Sequence, residues 1–260
     1  MAGSTEIKIY DIMACNVYWD FEKSPMPKET HKMLVALYPT PGVVAPDMIE
    51  GIKAYGPNGY EVTFVNQKFD NTQLNGWFYT PEIQNYWYMV NLPNGFLKEG
   101  EYTIEVTSKD GRVVRKSRIQ NNAPGDAIVE AYVKNQDKIF ESFSPSKTKK
   151  LESASLKDIT LRWTTLKDIA GLDAYYVTRL AQASTPLAFD GNNLTFFDNI
   201  YAERLFKNEP TAGKNRHQVV IDKELKPQTD YGYFVEITDA NVGGEANICI
   251  FQPHQFFNTP

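Results

Sequence analysis

Cysteine is nearly absent from this chain. Cys15 and Cys249 stand near opposite ends of the 260 residues, with no close partner for a local loop-closing bridge, so no disulfide framework is expected. Low cysteine content neither requires nor excludes an oxidising compartment, because a chain of this length can build its core without staples. An excess of positive charge is missing as well. The net charge is −5, the isoelectric point is near 5.4, and no basic run is longer than Lys147-Thr148-Lys149-Lys150. Attraction to a phosphate backbone or to anionic lipid is thereby lost, and no nucleic-acid partner is expected. Long apolar runs are lacking too: no stretch reaches the roughly 18 uninterrupted apolar residues of a membrane span, and no apolar signal-peptide core opens the chain. Met1-Ala-Gly-Ser4 is compatible with a signal peptide already removed, which leaves export open. Ile12-Met13-Ala14-Cys15 has no charged and apolar lead of the kind that precedes a lipoprotein cleavage box, so Cys15 reads as a buried thiol.

Chemistry-bearing motifs are equally scarce. The three histidines, His31, His217 and His254, are far apart, and no pair has metal-ligand spacing. There is no Gly-x-Ser-x-Gly elbow, neither cysteine carries a protease signature, and no glycine-rich phosphate loop occurs; Gly243-Gly244 reads as a turn. Asp190-Gly-Asn192-Asn193 offers oxygen ligands at loop spacing but lacks the other positions of a calcium loop, so it is read as a solvated loop. Asn193-Leu-Thr195 is a glycosylation sequon, a weak three-residue pattern. No catalytic residue, metal or cofactor is expected, and the chain reads as non-catalytic.

Aromatic side chains, by contrast, are plentiful: 15 Tyr, 15 Phe and 4 Trp. In Leu225-Lys-Pro-Gln-Thr-Asp-Tyr-Gly-Tyr-Phe-Val-Glu-Ile-Thr-Asp239, residues Tyr231, Tyr233, Val235 and Ile237 recur at period two and predict a strand with all four on the buried face. The preceding turn carries a proline that cannot serve a central ladder. This stretch resembles the Leu-x-Pro-x-Thr-x-Tyr signature of fibronectin type III domains, and the resemblance implies a β-sandwich in which Tyr231 is the corner tyrosine. About 128 residues earlier, Leu97-Lys-Glu-Gly-Glu-Tyr102-Thr-Ile104-Glu-Val106 repeats turn, tyrosine and alternation, one residue shorter and without the proline. That echo argues for duplicated domains.

In the first half, residues 51–55 and 60–64 flank Gly56-Pro-Asn58-Gly59, a hairpin signal in which Asn-Gly supplies positive φ. Lys32–Tyr38 adds a strand, and Asp110-Gly111 turns residues 102–107 back on themselves. Polar, turn-rich Gln120-Asn-Asn-Ala-Pro-Gly125 is the linker candidate, giving domains 1–122 and 127–260. Residues 127–143 fit a helix or a strand, and their pattern does not decide. In the second half, Ile159–Trp163 and Ala174–Leu180 resemble strands B and C of the fibronectin type III and Ig-like families, with Trp163 as the core tryptophan. His217–Ile221, Tyr231–Thr238, and Ile248–Phe251 with Phe256–Pro260 suit strands E, F and G. An insertion over about 181–216 departs from the family, and Phe196-Phe197, Ile200-Tyr201 and Leu205-Phe206 recur within it at helical spacing. The fold expected is all-β: two tandem Ig-like or fibronectin type III-like β-sandwiches, the second with a helical or irregular insertion.

The candidate site is the pair of runs Trp77-Phe78-Tyr79 and Tyr86-Trp87-Tyr88. A strand over 86–90 turns Tyr86, Tyr88 and Val90 one way and Trp87 and Met89 the other, so both faces are apolar and the second needs a cover. Three readings stay open. The rings are buried beneath residues 71–79 or between domains; they anchor a protein interface; or Trp77, Tyr79, Tyr86 and Trp87 form a carbohydrate platform. The function expected is an adhesion, scaffold or protein-interaction module, with a carbohydrate-binding accessory protein as the alternative. The family resemblance implies a bacterial periplasmic or cell-surface location.

Overall fold

The computed structural model describes residues 6–24, 26–38, 43–70, 72–81, 84–151, 155–198, 200, 209, 211–240 and 246–260. Among these the chain forms two compact units, neither of which is one run of sequence. The first draws on Met1–Val17, Glu29–Asn122 and Asn241–Asn247; the second draws on Tyr18–Lys28, Ala123–Ala240 and Ile248–Pro260. The expected linker at residues 120–125 is no loop, because it leads into helix α2, Asn122–Ser142.

The first unit is a sandwich of two sheets. One runs in the order β1 (Lys8–Trp19, to Val17 within this unit), β2 (Glu29–Tyr38), β6 (Asn85–Leu92) and β5 (Asn75–Thr80). The other is four-stranded, in the order β4 (Tyr60–Phe64), β3 (Ile49–Gly56), β7 (Gly100–Ser108) and β8 (Val113–Gln120). A short helix α1, Ala45–Met48, leads into β3. Alternation decides which side chains face the space between the sheets: Met33, Val35 and Leu37 of β2 and Tyr86, Tyr88 and Val90 of β6 meet Ile52 and Ala54 of β3 and Tyr102, Ile104 and Val106 of β7 in one core. The hairpin from β3 to β4 turns through Asn58 at φ 57 and Gly59 at φ 76, the left-handed geometry that Asn-Gly adopts cheaply. Edge strand β8 sends Lys116 and Arg118 inward, where Lys116 Nζ donates to the Tyr10 carbonyl at 2.7 Å and Arg118 pairs with buried Asp11. Inward charges of this kind discourage another strand from adding at the edge.

The second unit repeats the plan. Strands β11 (Phe196–Phe197), β10 (Tyr175–Gln182), β13 (Asp230–Thr238) and β14 (Ile248–Phe251) lie in that order, and β15 (Gln255–Asn258) also pairs with β13. The last strand is thus broken at residues 252–254: β14 pairs with the second half of β13 and β15 with its first half. Facing them is the pair β9 (Thr160–Arg162) and β12 (Gln218–Val220), with Ser144 bridged to Arg162 beside it. Tyr231, Tyr233, Val235 and Ile237 are at most 1% exposed, as the period-two pattern requires. Trp163 lies within 6.5 Å of the Phe143 ring and 6.1 Å of Tyr176. Helix α3, Leu166–Ala170, is closed by a capping box between Thr165 and Asp168. Helix α2 buries Gly125, Ile128, Tyr132 and Ile139 but leaves Val133 and Phe140 exposed, which is why its apolar pattern fits two periods. In the insertion, residues 186–188 form a 3-10 turn and Phe196–Phe197 form β11; Tyr201, Leu205 and Phe206 lie outside the described residues, as do Met1–Ser4 and Gly243-Gly244. Both cysteines are buried, Cys15 Sγ donating to the Asn16 carbonyl at 3.3 Å and Cys249 Sγ meeting Thr238 Oγ1 at 3.3 Å.

Each unit has its own tyrosine corner, and the two differ as the turns do. Tyr102 Oη donates to the Lys98 carbonyl, four residues upstream, at 2.9 Å. Tyr231 Oη instead accepts from the Lys226 N–H, five residues upstream, at 3.0 Å. Removing either hydroxyl as Tyr→Phe is expected to cost about 0.5–1.5 kcal/mol of stability with the ring packing retained, measurable by urea unfolding.

Candidate functional site

Strand β5 joins the sheet edge beside β6 and does not fold back over it. Direct partners Trp77↔Tyr88, Phe78↔Trp87 and Tyr79↔Tyr86 share faces, so Trp77, Tyr79 and Tyr86 gather on one side and Phe78 stacks on Trp87 on the other. Tyr86 and Trp87 are buried, and neither offers an open ring face to a ligand. Trp77 is half-buried, and Tyr79 alone of the four is exposed, at 43%. The Tyr79 ring sits 4.7 Å from Tyr86 at 40°, and Trp77 meets Tyr86 nearly edge-on, so the rings do not form one plane. The strand edge is partly occupied: Trp77 N–H donates to Gln67 O at 2.8 Å and Phe69 N–H donates to Trp77 O at 2.7 Å.

A second aromatic surface, not expected from the sequence, covers the outer face of β10 and β13. Arg179 of β10 faces Phe197 on one side and Phe234 on the other, its guanidinium carbon 4.9 and 5.4 Å from the two ring centroids. Its Nη1 donates to buried Glu236 Oε2 at 2.8 Å, so the cation is both stacked and paired. Around Phe234 lie Phe21 at 5.0 Å, Phe189 at 5.5 Å and Phe251 at 5.9 Å. Gly232 makes room for this layer: a Cβ there would come within 2.7 Å of the Phe256 ring. Phe197 is 39% exposed and Leu187, on the neighbouring 3-10 turn, 74%, while Trp19, Phe21, Phe189 and Phe251 are half-buried. The signal was present in the sequence: Phe234 and Phe251 occupy positions that strand alternation assigns away from the core.

The segment 18–28 brings Trp19 and Phe21 to this face. Trp19 N–H donates to Lys28 O at 2.8 Å and Asp20 N–H to Phe251 O at 2.9 Å. The buried Asp20 carboxylate accepts from Tyr132 Oη of α2 at 2.7 Å and from Gln136, and pairs with Lys28 at 3.2 Å. Burial, with the adjacent Asp20 charge, pushes the Tyr132 phenol well above its ordinary range.

The histidines stay apart, and among the described residues no group of three His, Cys, Asp or Glu side chains could hold a metal ion. His31 Nδ1 contacts Gly95 O at 2.7 Å and its Nε2 contacts Tyr60 Oη at 2.9 Å. A carbonyl only accepts, so Nδ1 carries the hydrogen and Nε2 accepts from the tyrosine. Burial holds the imidazole below its ordinary 6.5, against the Gly95 bond. The unfolded chain therefore takes up a proton first as the pH falls below about 6.5, and native stability drops from there at up to about 1.4 kcal/mol per pH unit. The decline is expected to shrink in His31→Asn, read by urea unfolding at pH 7 and pH 5. The Asp190 carboxylate accepts from Asn192 N–H at 2.9 Å, as in an Asx turn. An open recess of about 670 Å³ runs along residues 211–218, and another of about 400 Å³ lies among Ser144, Lys157 and Arg162; neither is lined by a ring of the aromatic face.

No family model and no curated protein matches this chain. Solved structures similar to it include Tp47, the 47-kilodalton lipoprotein of Treponema pallidum, at 10% identity and TM-score 0.29, covering 98% of this chain and 52% of that one. The chain thus spans about half the length of Tp47. The fibronectin(III)-like modules of Clostridium thermocellum CbhA match at 7% identity and TM-score 0.25, covering 95% of this chain and 94% of theirs. Murine CEACAM1b matches at 11% identity and TM-score 0.20, covering 94% and 98%. The assignment to Ig-like and fibronectin type III-like sandwiches rests on the strand pairing, the cores and the two tyrosine corners described above. No helix among the described residues is long and apolar enough to cross a membrane.

Proposed function

We propose that this chain is a non-catalytic interaction module, an adhesion or scaffold component, that binds a protein partner through the aromatic face of the second unit. The observation that carries this reading is the exposure of Phe197, joined through Arg179 to a layer of half-buried rings. Interfaces concentrate their binding energy in aromatic and arginine side chains, and this face joins Phe197 to a stacked Arg179. By analogy of fold alone, the protein belongs outside the cytoplasm, in the periplasm or at a bacterial cell surface. A photo-reactive phenylalanine at position 197 is expected to give one adduct of defined mass in the cells that make the protein. Position 63, exposed on the first unit, serves as the control. Equal adducts at both positions, or none at 197, would count against the face.

A carbohydrate-binding role is a second reading, favoured by Tyr79, exposed on β5 two residues from half-buried Trp77. It requires that a glycan lower acrylamide quenching of the intact protein and leave Trp77→Phe unaffected. A glycan panel without such protection removes it.

A further inference from the structure

His254 lies in the break between β14 and β15, with its side chain 5% exposed. Its ring is enclosed by Phe21 at 4.4 Å, Phe189 at 4.8 Å, Phe234 at 5.3 Å and Phe256 at 6.1 Å. Nδ1 has no hydrogen-bond partner within normal reach; Glu22 Oε2, on the turn that carries Phe21, stands 3.5 Å away.

We propose that His254 and Glu22 form a pH-dependent latch, which holds the Phe21–Glu22 turn over the aromatic face when the imidazole is protonated and loosens it when the imidazole is neutral. A neutral ring leaves a buried polar atom poorly satisfied, whereas an imidazolium gains both the Glu22 charge and the negative faces of the surrounding rings. Other charges near the nest come from different elements. Lys147 lies 5.0 Å over Phe256, and Arg179 lies 5.4 Å from Phe234 but is paired with Glu236. Glu22 is therefore the anion that the latch uses. Burial raises the Glu22 carboxyl, yet contacts with His254 and with backbone outweigh it, so the group titrates below its ordinary 4.5. The carboxylate consequently stays charged throughout the range, roughly pH 5–8, in which imidazoles exchange their proton. The latch acts within the folded protein and needs no partner, so it stands or falls separately from the interaction reading.

The test is amide hydrogen exchange of residues 19–24 in the intact protein from pH 5 to pH 8, corrected for intrinsic pH dependence, beside a ¹³C titration of the histidine rings. Protection of the turn is expected to fall several-fold, up to about tenfold, between pH 5 and pH 8. In Glu22→Gln, where the exposed carboxylate is lost without a change of shape, the step is expected to flatten. His217→Gln, altering an exposed histidine, is expected to leave it unchanged. Flat protection in the natural protein, or an undiminished step in Glu22→Gln, overturns the latch.

Discussion

Replacing Arg118 with methionine is expected to destabilise the first unit by about 3–5 kcal/mol, since it leaves the Asp11 carboxylate buried without its cation. The Asp11 side chain is 3% exposed and that of Arg118 10%, so water cannot substitute for the lost partner. Methionine keeps most of the length and apolar stem of arginine, which assigns the loss to the charge. Adding Asp11→Leu is expected to recover most of it, because a packed apolar pair at such a site is often as stable as the ion pair. Urea unfolding of the two single variants and the double variant measures the coupling. Additive losses would show that the pair is not the unit that matters.

The second large effect is expected at Tyr233, the centre of the second unit's core. Its ring is fully buried, 6.0 Å from Phe143 and 6.1 Å from Phe257, and its hydroxyl donates to the Pro145 carbonyl at 2.8 Å. Tyr233→Ala should cost about 3–5 kcal/mol through the lost ring and the cavity it leaves. Tyr233→Phe should cost only about 1–2 kcal/mol, the part that belongs to the hydrogen bond. A similar loss in both variants would place the energy in the hydroxyl and contradict the packing account.

Local signals were readable wherever one face of a strand is buried and turn chemistry is explicit. Tyr231 to Ile237 announced β13, Asn58-Gly59 announced its hairpin, and the one-residue difference between the Leu97 and Leu225 turns reappears as the different reach of the two corner hydroxyls. Alternation also placed Tyr86 and Tyr88 on the core side of β6. It gives the face of a ring, however, and says nothing of what covers that face. Alternation therefore does not separate buried Tyr86 and Trp87 from exposed Tyr79, and it does not mark which rings around Phe234 reach solvent. The membership of residues 18–28 was hidden for a related reason: Asp20 is held by Phe251 and Tyr132, and nothing in the local pattern names partners more than a hundred residues away. The polar residues 120–125 read as a linker because their turn formers also suit a helix start.

Both the aromatic face and the latch depend on residues 18–28 being part of the second unit. Hydrogen exchange followed by mass spectrometry on Arg118→Met and Tyr233→Ala tests this directly. Peptides spanning 18–28 are expected to lose protection together with β13 in Tyr233→Ala, and to respond less than β7 does in Arg118→Met. If that segment instead follows β7 and ignores the loss of Tyr233, Phe21 and Glu22 do not belong to the surface described, and the account of the site fails.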